Sequence, residues 1–342
     1  MTRQDSKFGF MRIVSSVEMP IHCSTIGNDG ARFLSIPAST RTWRRIYERT
    51  TRQIIAAIEA GTGPFRMPWH HDGSSTSRPV NVTSGKNYRG ANTLLLWAAA
   101  ESAGYSSGVW GTYRQWTTKG AQVRRGEHAT TVIFWKPVRG ADHADEGDDE
   151  EPARGRRFIA RGYNVFNRCQ VDNYEEPAVP TLDEGQRIAR ADAFFKQLGI
   201  AISYGGASAF YRVDHDQIFM PPFGAFIDPL AFYSVLFHEA GHATGAEHRL
   251  NRDLKKRFST HAQAIEEVVA ELTAAFILAD LGLSCRPRDD HAAYVADWLE
   301  ALKNDTRAIV TAASQAQAAA DWMHAQRPGG KTLSNASAMG AA

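Results

Sequence analysis

Cysteine is scarce in this chain: Cys23, Cys169 and Cys285 are the only three in 342 residues, isolated and odd in number. That excludes a disulfide framework and a cysteine zinc site. It fits a reducing compartment, so a cytoplasmic protein is expected. Long apolar runs are missing too, and nothing approaches the roughly 20 residues that a membrane-spanning helix needs. Residues 8–20 mix Arg12, Ser15, Ser16 and Glu18 into their apolar positions and make a poor secretory signal. Net charge is small, at +2, and the composition, 43% hydrophobic and 22% charged, is that of an ordinary soluble protein.

A chain of this length predicts two domains, each able to bury its own core. Residues 1–38 hold no sustained period and read as a weakly ordered leader. From Ser39 to about 174 the pattern predicts a first α+β domain. It comprises a helix after Ser39, a short helix capped by Asn92, a strand from Thr130 stopped by Pro137, and a second strand within 157–167. Between those strands, residues 142–151 hold seven acids in ten positions and read as a solvated hairpin insertion. A proline-bearing linker, 175–180, leads to a second domain over 181–326, followed by a frayed tail, 327–342. The second domain opens with a capping box at Thr181 and Glu184. Three short strands follow at 200–204, 209–213 and 217–220, and then a series of helices. The order is α+β, with no repeating βαβ unit.

The chemistry concentrates in one stretch, Asp228 to His242. Asp228 is a good N-cap and Pro229 suits the first helical position, so a helix starts there. It carries His238-Glu239-x-x-His242. Two imidazoles four residues apart stand on one helix face and can hold one Zn²⁺, with Glu239 beside them as general base. A catalytic zinc needs a third protein ligand, and two readings compete for it. Glu267 lies in an E-x-x-A-acid pattern on a long acidic helix, with Glu271 one turn on as an alternative ligand or a partner that orients a histidine. His248 instead completes an H-E-x-x-H-x-x-G-x-x-H spacing with Gly245, although no Met turn follows it. Glu266, beside Glu267, reads as part of a solvated helix face.

The charge hidden by the small total lies in the first domain. Residues 41–140 hold 15 Lys and Arg against 5 Asp and Glu, and six of the eight tryptophans. Cations that track phosphates and aromatics on which bases stack are what single-stranded nucleic acid binding requires. The candidate DNA-binding residues are Arg44, Arg45, Trp69, Lys86, Tyr88, Arg89, Asn92, Trp116, Arg124 and Arg125. Trp97 and Trp135 read as core.

The stretches from Gly85 to Asn92, Leu94 to Trp97 and Val165 to Cys169, with Pro68-Trp69 and Gly126-Glu127, resemble the N-terminal domain of ArdC-type antirestriction proteins. That domain is also related to the N-terminal part of plasmid TraC primases. Phe237 to Gly245, His248 to Arg252 and Glu266 to Leu272 resemble the same family's zincin-like metallopeptidase domain. The resemblance implies a single-stranded DNA-binding domain followed by a zincin, and it favours Glu267 as the ligand. The implied role is protection of incoming plasmid DNA from host restriction during conjugation, with Zn²⁺ as cofactor and a protein or peptide as substrate. The alternative is a DNA-shielding protein whose zincin half is a non-catalytic scaffold or docking site.

Overall fold

β-Branched and aromatic residues on either side of the acidic run form a long antiparallel hairpin. β4 (Thr130–Val138) pairs with β5 (Arg157–Asn167) from Thr130↔Val165 to Val138↔Arg157. The computed structural model describes residues 78–138, 157–175, 183–254, 260–283 and 307–326, with single positions between 48 and 59 and at 303 and 305. The leader 1–38, most of the helix after Ser39, the insertion 142–151, the linker beyond Glu175, most of the stretch 290–303 and the tail 327–342 lie outside the described residues.

Pro137 does not stop its strand: it continues the ladder opposite Phe158. The four-stranded sheet runs β1-β2-β5-β4, with β1 (Val80–Asn81) and β2 (Val109–Thr112), so β4 is an edge where a missing N–H goes unneeded. Helix α1 (Ala91–Ala103) is preceded by Gly90, and Asn92 is not its cap. The Asn92 amide is engaged elsewhere: it donates to the Ile133 carbonyl at 2.7 Å and accepts from the Ile133 N–H at 2.8 Å. One side chain thus does for the open edge of β4 what a neighbouring strand would do. Helix α2 (Tyr113–Thr118) starts with a Thr112–Gln115 capping box, and a two-stranded sheet joins β3 (Gln122–Val123) to β6 (Val171–Asp172).

In the second half, α3 (Glu184–Lys196) is capped two positions beyond expectation. The capping box is Asp183 with Gln186, because the Asp183 carboxylate accepts the Gln186 N–H at 2.8 Å. A three-stranded sheet, ordered β7-β9-β8, is built from β7 (Ala201–Tyr204), β8 (Phe210–Arg212) and β9 (Gln217–Met220). Helix α4 (Pro229–Ala243) begins as its sequence dictates, with the Asp228 carboxylate accepting from the Ala231 N–H at 2.7 Å. Helices α5 (Thr260–Leu281) and α6 (Ala308–Ala325) follow.

All these elements belong to one compact unit, Ala38–Ala342, and its two halves share a core. Leu94, Leu95 and Trp97 of α1 are buried with Phe194, Phe237, Leu272 and Phe276, and Trp97 meets Phe276 at 5.8 Å between ring centres. The opposite side of α1, Leu96 and Ala100, packs on the sheet against Trp110, Val132 and Val165. A buried polar contact adds to this junction. Arg78 pairs with Asp280 at 3.3 Å, bonds Gln317, and lies 4.3 Å over the Phe276 ring. Helix α5, which bears the acidic motif, is therefore also the helix against which the first half is anchored.

Candidate metal centre and nucleic-acid interface

Gly241 sets the geometry of the candidate metal centre. A Cβ there would stand 2.9 Å from the Ala270 Cα, so α4 and α5 touch backbone to backbone at this point. The close approach brings the acids of α5 onto the histidines of α4. His238 and His242 are buried, their rings 4.9 Å apart. The helices run antiparallel: His238 Nδ1 lies 3.3 Å from Glu271, and His242 Nδ1, one turn further on, lies 3.1 Å from Glu266. A carboxylate only accepts, so each Nδ1 carries a proton, and in the neutral ring this is the tautomer whose Nε2 can ligate a metal. Both Nε2 atoms face Glu267, at 3.3 Å for His238 and 3.5 Å for His242. Ligand atoms of His238, His242 and Glu267 all lie within 4.8 Å of one another. Two imidazoles and a carboxylate with their rings oriented by further carboxylates form a donor set suited to a divalent cation such as Zn²⁺. Glu239 is buried on the same helix.

With only protons to share, the cluster is strongly coupled. Burial pushes Glu267 up, but the His242 and His238 imidazoles outweigh it and hold the carboxyl far below its usual range. Burial pushes His242 down, whereas Glu267 and Glu266 push it up, to about 9. Burial likewise opposes the ionised form of Glu266, and its bonds to His242 and Arg252 hold its carboxyl below the ordinary value.

Glu266 departs from its sequence reading: it is not on a solvated face but buried. Arg252 grips it with two bonds, at 3.0 and 2.8 Å, and also reaches the Thr244 hydroxyl and the Gly241 carbonyl. An arginine ten residues beyond His242 carries no signal of this partnership in sequence. His248 is 62% exposed at its side chain and paired with Asp216 at 3.3 Å. The described residues thus bring Glu267, not His248, to the imidazoles.

The nucleic-acid candidates fare unevenly. Arg44, Arg45 and Trp69 lie outside the described residues. Lys86 and Arg125 are exposed. Arg89 is half exposed and pairs with Asp321. Three residues are corrected. Trp116 is 0% exposed, with its Nε1–H donating to the Phe166 carbonyl at 3.0 Å, and Tyr88 is 7% exposed, so neither presents a ring to a base. Tyr88 lies among glycine and asparagine and Trp116 within α2, and both rings are packed into core clusters. Asn92 is committed to Ile133, as described. Arg124 is exposed but engaged by Glu127, Asp172 and the Cys169 carbonyl. Among the described residues, no helix is long and apolar enough to cross a membrane.

A helix pair presenting two buried histidines and a carboxylate beneath a small mixed sheet defines the class: a zincin-like metallopeptidase fold. Residues 189–315 match the family described as zincin-like metallopeptidase, and residues 44–166 match the N-terminal domain of anti-restriction factor ArdC. The crystal structure of the antirestriction ArdC protein from plasmid R388, solved metal-free, is 36% identical and superposes with a TM-score of 0.67 over 82% of this chain and 97% of that one. Its Mn(II)-bound form superposes at 0.64. An uncharacterised Sinorhizobium fredii protein, y4eC, is 57% identical over 283 residues, covering 82% of this chain and 92% of its own length. The Escherichia coli DNA primase TraC is 34% identical over 292 residues, a fifth of its length. The chain belongs to the ArdC-type antirestriction family.

Proposed function

We propose that this chain is an antirestriction protein of mobile elements that binds single-stranded DNA in the cytoplasm and carries a zinc peptidase centre. His238, His242 and Glu267 hold the Zn²⁺, and Glu239 is the general base. One observation carries the reading: both imidazoles are locked by buried carboxylates with their Nε2 atoms turned to a third carboxylate. That arrangement stabilises a cation and has no purpose in a core built only for packing.

A Zn²⁺ at this position would act as a Lewis acid, lowering the pKa of a water and polarising a peptide carbonyl. The chain's own residues do the rest. Glu271 and Glu266 fix the tautomer and direction of the two rings. Arg252 keeps Glu266 ionised and in place. Glu239 accepts the proton of the attacking water and delivers it to the leaving amine. The test is cleavage of a denatured-protein substrate by zinc-loaded protein. Glu239→Gln should keep the metal and lower turnover by two or more orders of magnitude; equal turnover in both would remove Glu239 from this role.

The second reading, a DNA shield with a non-catalytic zincin half, is favoured by the shared core, since α5 and α6 support the first half through Trp97 and Arg78. It expects Glu239→Gln to protect transferred DNA as well as the wild type does.

A further inference from the structure

Tyr88 and Trp116 are buried, so base stacking must use other rings. We propose that unpaired bases of single-stranded DNA stack on Phe134 and Tyr163 of the β4–β5 hairpin, with Arg161 on the adjoining phosphate. The inference rests on the single-strand-binding reading above and supplies its contact surface.

Register puts the three residues together. Phe134 pairs with Arg161 and Val132 with Tyr163, and side chains alternate along each strand, so all four share one face of the sheet. Toward the centre of the sheet this face is core, with Val132 and Val165 buried against α1. Past the point where Asn92 anchors Ile133, the cover ends. There Phe134 is 42% exposed, and it meets the ring of Tyr163, 39% exposed and opposite Val132, edge to face at 5.7 Å. The Arg161 guanidinium stands 6.0 Å from the Tyr163 ring centre, the outer limit of a cation–π contact, so it is held near the ring with donors to spare. The two strands contain Lys136, Arg157 and Arg161 and no acid. Mutual packing explains why the rings touch. It does not explain why two large aromatics stay half in water on strands whose only charges are positive. Rings that accept any base and cations that accept any phosphate do explain it.

The opposite face of the sheet offers the competing surface. A cleft of about 520 Å³ there is lined by Tyr113, Phe166, Arg124 and Arg125, but also by Glu127 and Asp172, which engage Arg124.

Binding of the full, metal-loaded chain to a fluorescent oligothymidylate and to a duplex of equal length separates the possibilities. The Phe134→Ala/Tyr163→Ala double variant should bind the single strand at least about tenfold more weakly, with little change on duplex and an unaltered salt slope. Arg161→Ala should reduce the slope of log affinity against log salt by about 0.7, one phosphate contact. Tyr163→Phe, which keeps the ring, should bind like the wild type. Unchanged single-strand affinity in the double variant, with the loss appearing instead in Tyr113→Ala/Arg125→Ala, would overturn the platform and leave the DNA reading standing. So would an equal loss on duplex. Failure of the wild type to bind the single strand at low salt would overturn both.

Discussion

Glu266→Ala tests how the metal centre is built. In the wild type, Glu266 takes two bonds from Arg252, at 3.0 and 2.8 Å, and one from His242 Nδ1 at 3.1 Å. Both Arg252 and Glu266 are about nine-tenths buried. Truncation leaves the arginine charge in the protein interior with its main partner gone, which costs about 3–5 kcal/mol. For a chain of this size that is a fall of roughly 5–15 °C in melting temperature. It also frees the His242 ring to rotate, and loss of such an orienting carboxylate lowers metal affinity by about 10–100-fold. Calorimetric melting with and without chelator gives the first quantity, and competition against a zinc-binding dye gives the second. Glu266→Gln separates the two effects: it retains an acceptor for His242, so it should recover part of the metal affinity while the charge of Arg252 stays uncompensated. A Glu266→Ala protein that melts within about a degree of the wild type and holds zinc as tightly would refute the reasoning.

Other consequences follow from the same geometry. Gly241→Val should push α4 from α5, because the first added carbon already stands 2.9 Å from Ala270 Cα; a loss of about 1–3 kcal/mol in stability and weaker metal binding are expected. In the chelated protein His242 titrates near 9, above its unfolded value of about 6.5. A raised folded value means the stabilisation is complete below pH 6.5 and disappears as pH rises through 9, so the chelated protein should melt progressively lower across that window. The same proton must leave when metal binds, so zinc affinity should rise about tenfold per pH unit from 7 toward 9, measured with a pH-independent competitor. Trp116→Ala should destabilise by about 3–5 kcal/mol as a core truncation, seen in chemical denaturation, while the folded fraction binds DNA normally. Asn92→Ala should accelerate hydrogen exchange at the Ile133 amide, which loses its acceptor.

The parts of the molecule legible from sequence are those where local chemistry decides the outcome. Asp228-Pro229 starts α4 because a cap and a fixed φ act within four residues, and the β-branched and aromatic residues of β4 and β5 favour an extended chain. The zincin-like fold and the ArdC-like N-terminal half are legible through a resemblance carried by local motifs. What sequence does not carry is direction in three dimensions. Tyr88 and Trp116 stand among polar residues, which reads as exposed, but the direction of a ring depends on what the sheet and helices leave to fill. Glu266 and Glu267 are adjacent on one helix, and only the antiparallel crossing at Gly241 decides that one reaches Nδ1 of His242 while the other sits between both Nε2 atoms. Pro137 within β4 depends on which strand becomes the edge, a property of the whole sheet.

The central claim is that His238, His242 and Glu267 hold one zinc. Metal content by plasma mass spectrometry, after zinc loading and exhaustive dialysis, tests it most directly in the wild type, Glu267→Ala and His248→Ala. The account predicts one zinc per chain in the wild type, close to none in Glu267→Ala and one in His248→Ala. A wild type without metal, or zinc retained in Glu267→Ala and lost in His248→Ala, would contradict it.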